Sequence, residues 1–395
     1  MEYRKLILFL ALIFANVATY AQDNKFALAD STAEQLYNAG DWKQLIVFGN
    51  KSIADSLDFP GLRFKMGYAY MVTGNYKAAI SQFTQVLNKD SFNSTARLYA
   101  YYCNTYLNND LGASYHAAYL DKETLHSIKI TALGLVDADA ESGIKLPNNN
   151  QRDNGFFERI GISNRLGWRL QLEQSAISFN QNIFRSSYKD KDNNKDLLGK
   201  TDKQLEYFIK TQFAFNNYLA IVGSYHYIYT TYRSNINNSN LGLLGIKYTG
   251  RYIDLQGDIN FGKLINKTLK QYNARMDFYP LGNLNLYTIS RASVLNLSGA
   301  NNFIYSQAIG FKVLNKTWIE TLATFGNQDD YLDADGLYVY NSIDPTKFKC
   351  GETVFYQLSS HALLDLNYIY ENKTDVYRAV NYNQNSVTLG ITWKF

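Results

Sequence analysis

Through the second half of the chain, apolar and polar residues alternate one for one. In 204–215, Leu205, Tyr207, Ile209, Thr211, Phe213 and Phe215 interleave with Gln204, Glu206, Lys210 and Gln212. The same period runs through 251–261, where Ile253, Leu255, Gly257, Ile259 and Phe261 face away from Asp254, Gln256, Asp258 and Asn260. It recurs in 270–279 and at the C-terminus, where Val387, Leu389, Ile391, Trp393 and Phe395 oppose Ser386, Thr388 and Thr392. A period of two is a strand with one apolar face. Twelve such strands are predicted, at 168–182, 204–216, 218–232, 239–249, 251–262, 268–279, 282–296, 302–314, 316–326, 348–358, 360–371 and 385–395. Each supplies the ~9–11 residues that a tilted membrane strand requires. The joints alternate as well. Those at 184–203, 234–238, 263–267, 297–301, 327–347 and 372–384 are expected to be long and polar, and the joints between them tight. Long outer loops and short inner turns are the habit of outer-membrane barrels, whose strands must close because lipid offers no partner to an open edge. Tyr225, Tyr227, Tyr229, Tyr248, Tyr368 and Tyr370 suit the membrane interface, where the ring is apolar and the hydroxyl is wet.

The first third has a different period. Gly74 and Tyr76 follow Gly40 and Trp42 by 34 residues, and Met66-Gly67, Tyr70, Gly74, Tyr76, Ala79, Phe83 and Val86 keep the spacing of a tetratricopeptide repeat. Gly67 and Ala79 are small where two helices would touch, Tyr70, Tyr76 and Phe83 fill the space between them, and Gly74-Asn75 is the turn. A degenerate third copy carries Ala113, Ala117 and Leu120. About three repeats is the minimum for a stable array. Residues 126–166 are expected to be a linker and lead-in, with Lys145-Leu146-Pro147 and Asn148 to Asn150 as its most turn-prone stretch.

At the N-terminus, Arg4 and Lys5 precede the apolar run Leu6 to Ala15, with Thr19 and Ala21 before Gln22. This is the layout of a cleaved secretory signal over 1–21. The expected order is a signal peptide at 1–21, a periplasmic helical array at 22–125, the linker, and a barrel at 167–395. The fold class is thus α plus all-β: an α-solenoid followed by a 12-stranded antiparallel transmembrane barrel, with 14 strands as the alternative.

Composition agrees. Aromatics reach 15%, with 33 tyrosines, while 39 basic residues nearly balance 35 acidic ones in 395 residues. A nucleic-acid partner would need a larger clustered positive charge. Two cysteines, Cys103 and Cys350, are too few for a disulfide framework and are expected unpaired.

Candidate chemistry lies on the face opposite the apolar one. Glu206, Lys210, Lys247, Asp254, Asp258, Arg275, Asp277, Arg291, Lys312, Glu320 and Asp365 are assigned to the lumen. They make either a polar passage or a plug of mutually paired side chains, since twelve strands lie between the filled 8-stranded barrels and the open porins. Ser224 and His226 share a strand face but stand ~7 Å apart, too far for a nucleophile and its base. No enzymatic constellation, metal or cofactor is expected. Asp329 to Gly336 faintly resembles a calcium loop but has Tyr331 and Ser342 where acids are required, and is expected to be a solvated acidic outer loop. The Lys- and Asp-dense stretch 189–203 is expected at the surface.

The C-terminal Thr388-Leu389-Gly390-Ile391-Thr392-Trp393-Lys394-Phe395, with Gly390, Trp393 and the terminal Phe395, resembles the signal read by the barrel assembly machinery. Together with the helical array, the chain resembles the YaiO family of outer-membrane proteins, with the Tyr- and Asn-rich character of its Bacteroidota members. That resemblance implies outer-membrane lipids and the assembly machinery as partners and brings no residue-level activity. The layout is also similar to that of exporters of poly-N-acetylglucosamine and cellulose, which implies a glycan or other polar solute in the barrel and a periplasmic protein docked on the repeats. The shorter array and smaller barrel depart from those exporters. The other reading is a scaffold: a membrane anchor whose repeats recruit a periplasmic partner.

Overall fold

The computed structural model describes residues 25–184, 199–232 and 235–395. The signal segment and most of the 184–203 joint lie outside the described residues. The chain divides into two compact units, one running to Asn108 and including 119–121, the other comprising 109–118 and 122–395.

The first unit consists of helices α1 (residues 25–38), α2 (Trp42–Ala54), α3 (Pro60–Val72), α4 (Tyr76–Lys89) and α5 (Ser94–Tyr106). The starts of α2 and α4 are set by caps 34 residues apart. Asp41 accepts from the Gln44 amide at 3.2 Å and Asn75 from the Ala78 amide at 3.0 Å, each satisfying a free first-turn donor. The preceding residues, Gly40 and Gly74, have φ of +69° and +80°, which a glycine adopts without strain. Ala79 and Phe83 are buried. A Cβ on Gly67 would come within 2.7 Å of the Phe83 ring, so only glycine lets α3 and α4 approach this closely. Tyr70 is buried and accepts from Asn50, and Tyr76 packs on Tyr106 with ring centres 4.8 Å apart. Cys103 lies in the core, and burial pushes its thiol pKa up to about 12.

The second unit opens with α6 (Asp110–Ala117), whose cap Asn109 continues the 34-residue interval, and α7 (Lys122–Ser127). Fourteen antiparallel strands then close a barrel: β1 (Leu133–Pro147), β2 (Arg152–Leu166), β3 (Leu170–Phe184), β4 (Gly199–Ala214), β5 (Leu219–Tyr232), β6 (Asn235–Thr249), β7 (Ile253–Leu264), β8 (Lys267–Phe278), β9 (Leu286–Leu297), β10 (Ala300–Leu314), β11 (Thr317–Phe325), and, after two short strands, β14 (Thr346–Gln357), β15 (Ala362–Asp375) and β16 (Val380–Lys394). The short strands are β12 (Leu332–Asp333) and β13 (Tyr338–Val339). Closure is by β1 on β16, from Asp137 opposite Lys394 to Pro147 opposite Gln384.

The expected twelve strands are all present, and the count is corrected to fourteen by β1 and β2. These occupy the stretch taken for a linker, and Asn148 to Asn150 belong to the hairpin between them. In the middle of β1 the outward positions are Ala138, Ala140 and Ser142, too small and mild for the apolar alternation to register before Ile144 and Leu146 resume it, while Asp137, Asp139 and Glu141 face inward.

The parity of loop lengths is also corrected. At the rim away from the chain's C-terminus, the joints at 265–266 and 298–299 are two residues long and that at 376–379 is four. Ile265-Asn266 and Ser298-Gly299 have positive φ at both positions, the geometry of a tight hairpin turn. Polar stretches expected to be loops, such as Asn235 to Asn238, are ladder: strand pairing continues beyond the lipid, where nothing demands an apolar face.

The outer surface is apolar. Leu244, Ile246, Phe303 and Leu389 are each more than half exposed on outward positions. Tyrosines on this face donate to amides of the neighbouring strand: Tyr225 to Asn240 at 2.6 Å, Tyr227 to Asn238 at 3.1 Å, Tyr368 to Asn385 and Tyr370 to Asn383 at 2.8 Å. Each hydroxyl is thereby satisfied while its ring faces lipid. No helix among the described residues is long and apolar enough to cross a membrane, so the strands are the spanning elements.

Candidate functional site

Every charged residue assigned to the lumen from the sequence points inward. Asp258 accepts from Gln256 at 3.0 Å and from Asn273 at 2.5 Å, Arg275 forms two bonds to Asp277 at 2.7 and 3.0 Å, and Asp254 accepts from the Gly250 amide at 3.1 Å. Lys312 lies over the Trp318 ring at 5.0 Å, and Glu206 is 2.9 Å from His226 Nε2. Gly390 also faces inward, and a Cβ there would overlap the Asp365 carboxylate. Trp393 is on the outer face, stacked on His361, and the Phe395 amide donates to Val136 at 3.0 Å.

The lumen is occupied. The segment 326–345 between β11 and β14, expected as a solvated acidic loop, instead folds into the barrel as β12, a single 3-10 turn (Ala334–Gly336) and β13. The reason is that its apolar residues have a core to join. Tyr331 and Leu332 pack with Ile228, Leu241, Leu264, Leu269, Leu295 and Ile304, inward positions of six consecutive strands, while Leu337 joins Ile177 and Phe208.

Polar contacts hold the segment around the whole wall. Gln271 clasps the Leu332 backbone, accepting from its amide at 3.0 Å and donating to its carbonyl at 2.7 Å. Ser224 donates to the Asp335 carbonyl and His226 Nδ1 to the Gly336 carbonyl, each at 2.8 Å, so the serine and histidine serve the inserted segment. Tyr338 donates to Glu141 at 3.0 Å, and Asn341 to Gln204 at 3.1 Å.

The charge arrangement is one-sided. The segment carries Asp329, Asp330, Asp333, Asp335 and Asp344 with no lysine or arginine. The wall supplies the cations: Lys210 lies 2.9 Å from Asp335, Arg291 and Lys349 both pair with Asp333, Lys267 lies 2.7 Å from Asp330, and Arg152 forms two bonds to Asp344 at 2.6 and 2.9 Å. Lys349 also pairs with the Tyr340 hydroxyl and Tyr382 donates to Asp344 at 2.8 Å. A residual cavity of about 10 Å³, room for one water, is lined by Lys145, Arg152, Phe179, Asp344, Lys373 and Tyr382.

Of the lumen residues assigned from sequence, Lys210 and Arg291 meet the inserted segment by ion pairs. Arg152, Lys267, Gln271 and Lys349 were missed. One signal pointed to the missed cations: five aspartates without a base in one loop.

A closed barrel with a lipid-facing belt, hydroxyl-satisfied interfacial tyrosines and a filled polar lumen defines an outer-membrane β-barrel. No family model matches the sequence. No curated protein matches it either. Solved structures similar to the chain include the CymD monoaromatic hydrocarbon channel (11% identity, covering 71% of this chain and 93% of that one, TM-score 0.47). The toluene transporters TodX of Pseudomonas putida (6% identity, 73% and 93% coverage, TM-score 0.45) and TbuX of Ralstonia pickettii (9%, 73% and 98%, TM-score 0.45) are also similar.

Proposed function

We propose that this protein is a gated conduit of the outer membrane, of the YaiO type, with segment 326–345 as the gate and the helical repeats on the periplasmic side docking a partner protein. The observation that carries the reading is what fills the lumen. Eight-stranded barrels are filled by their own wall side chains, whereas fourteen strands enclose more room than the wall fills. Here the remainder is taken by one continuous stretch of chain, tied to the wall by hydrogen bonds and ion pairs and tethered only at Phe325 and Thr346. Such a filling is removable as a unit. The passing solute is polar, since the wall beneath the segment carries Asp254, Arg275, Asp277 and Lys312.

Conductance across planar bilayers tests it. Full-length protein is expected to be mostly closed with brief openings, and a variant with 329–342 replaced by a short Gly-Ser link to be steadily open. Silence of that variant, with its barrel still folded by gel mobility before and after heating, would refute the gate.

The second reading is a non-conducting anchor whose repeats recruit a periplasmic protein. It is favoured by the apolar contacts of Tyr331 and Leu332, which are those of a packed core.

A further inference from the structure

We infer that the lumen is a binding site for an acidic oligosaccharide, and that segment 326–345 occupies it as a surrogate for that ligand. The inference rests on the conduit reading only in so far as the segment must leave.

A permanent plug has no need of the observed charge distribution. Buried ion pairs add little over well-packed apolar groups, because desolvating two charges offsets most of their attraction. A filling that never leaves would do as well with neutral residues, or with pairs of either polarity. Here every acid in five ion-paired contacts is on the removable segment and every base, Arg152, Lys210, Lys267, Arg291 and Lys349, is on the fixed wall. Withdrawal would leave those five cations without their segment partners. Some wall acids already have other partners: Glu206 faces His226, Asp277 faces Arg275, and Asp258 accepts from amides. Glu173 shares Lys210 at 3.5 Å and Asp375 shares Arg152 at 3.4 Å, so those two cations keep one wall acid each, whereas among the described residues Lys267, Arg291 and Lys349 form ion pairs only with the segment. The wall carries acids of its own, Asp139, Glu141 and Asp365 among them, so the vacated lumen is not cationic as a whole; what it offers to carboxylates is the set of positions at which these five cations now hold the segment's aspartates.

The groups between the cations set the rest of the ligand. Gln204, Gln256, Gln271, Asn260 and Asn273 present both donors and acceptors inward, the complement of hydroxyl groups. Phe157, Phe208 and Tyr382 supply ring surfaces on the same wall. Spaced carboxylates on a hydroxyl-rich backbone describe a uronic-acid chain.

The test uses full-length protein carrying D330N/D333N/D335N, near-isosteric changes that weaken the segment's hold and leave the wall intact. Calorimetric titration in detergent with glucuronic acid oligomers is expected to give affinity about tenfold or more above wild type, because the surrogate no longer competes. Glucose oligomers of equal length should not bind. Adding R291Q/K349Q to that background should remove most of the gain. Equal binding of glucose and glucuronic acid oligomers, or tighter binding of a tetra-aspartate peptide, would overturn the assignment. In planar bilayers the open state of the triple variant should be blocked by glucuronic acid oligomers and not by glucose oligomers. Conductance without glucuronate binding or block sinks the site and leaves the conduit. Glucuronate binding without conductance sinks the conduit and leaves the site.

Discussion

Asp333→Asn is the sharpest single probe of how the inserted segment is held. Asp333 is the shared partner of Arg291 and Lys349, whose side chains are 12% and 4% exposed. Removing one member of a buried ion pair typically costs 3–5 kcal/mol, because the charge left behind remains desolvated. The lower end applies here, since Lys349 keeps the Tyr340 hydroxyl. About 3 kcal/mol against the inserted state corresponds to roughly a 100-fold shift in the ratio of inserted to withdrawn segment. Single-channel recording should show that shift as a rise in open probability. Asp329→Asn is the control. Its partner Lys267 is 46% exposed, and such surface pairs contribute ~0–1 kcal/mol, so its gating should be nearly that of wild type. The reasoning fails if the two variants gate alike while both barrels remain folded.

Three further outcomes are expected. Cys103, its thiol raised to about 12, stays protonated at every pH below that, so its labelling by a thiol reagent should be negligible in the native chain between pH 7 and 9 and become fast only when the helical unit is unfolded by urea. Gly67→Val brings methyl groups against Phe83 and should destabilise the helical unit by ~1–3 kcal/mol, read in the full chain as Cys103 labelling at lower urea; unchanged labelling would contradict the packing. Leu244→Arg, on the lipid face, should weaken folding into vesicles by ~2–4 kcal/mol, whereas inward Thr388→Arg should fold nearly normally, and equal effects would contradict the assigned faces.

What was legible in the sequence follows from what a solvent boundary writes into it. Twelve strands and the faces of their residues could be read because lipid on one side and a polar lumen on the other force a period of two. β1 and β2 lacked that mark: Ala138, Ala140 and Ser142 satisfy lipid too quietly, and Glu158 interrupts the outward face of β2. The ends of the strands were unreadable for a related reason, since the ladder from Asn381 to Asn385 continues where both faces are polar. The filled lumen was out of reach because its contacts are remote in the chain. Asp344 finds Arg152 and Tyr338 finds Glu141 across most of the barrel's sequence, and local pattern records none of this. The helical period, by contrast, was local throughout, and its turn glycines Gly40 and Gly74 were visible in the sequence.

The two strands that flank the inserted segment, β11 and β14, are hydrogen-bonded neighbours, from Thr317 opposite Tyr356 to Phe325 opposite Phe348. The stopper therefore hangs from a single seam of an already complete cylinder. Pulling it free would break no rung of the wall, so the doorway and the frame are mechanically separate parts.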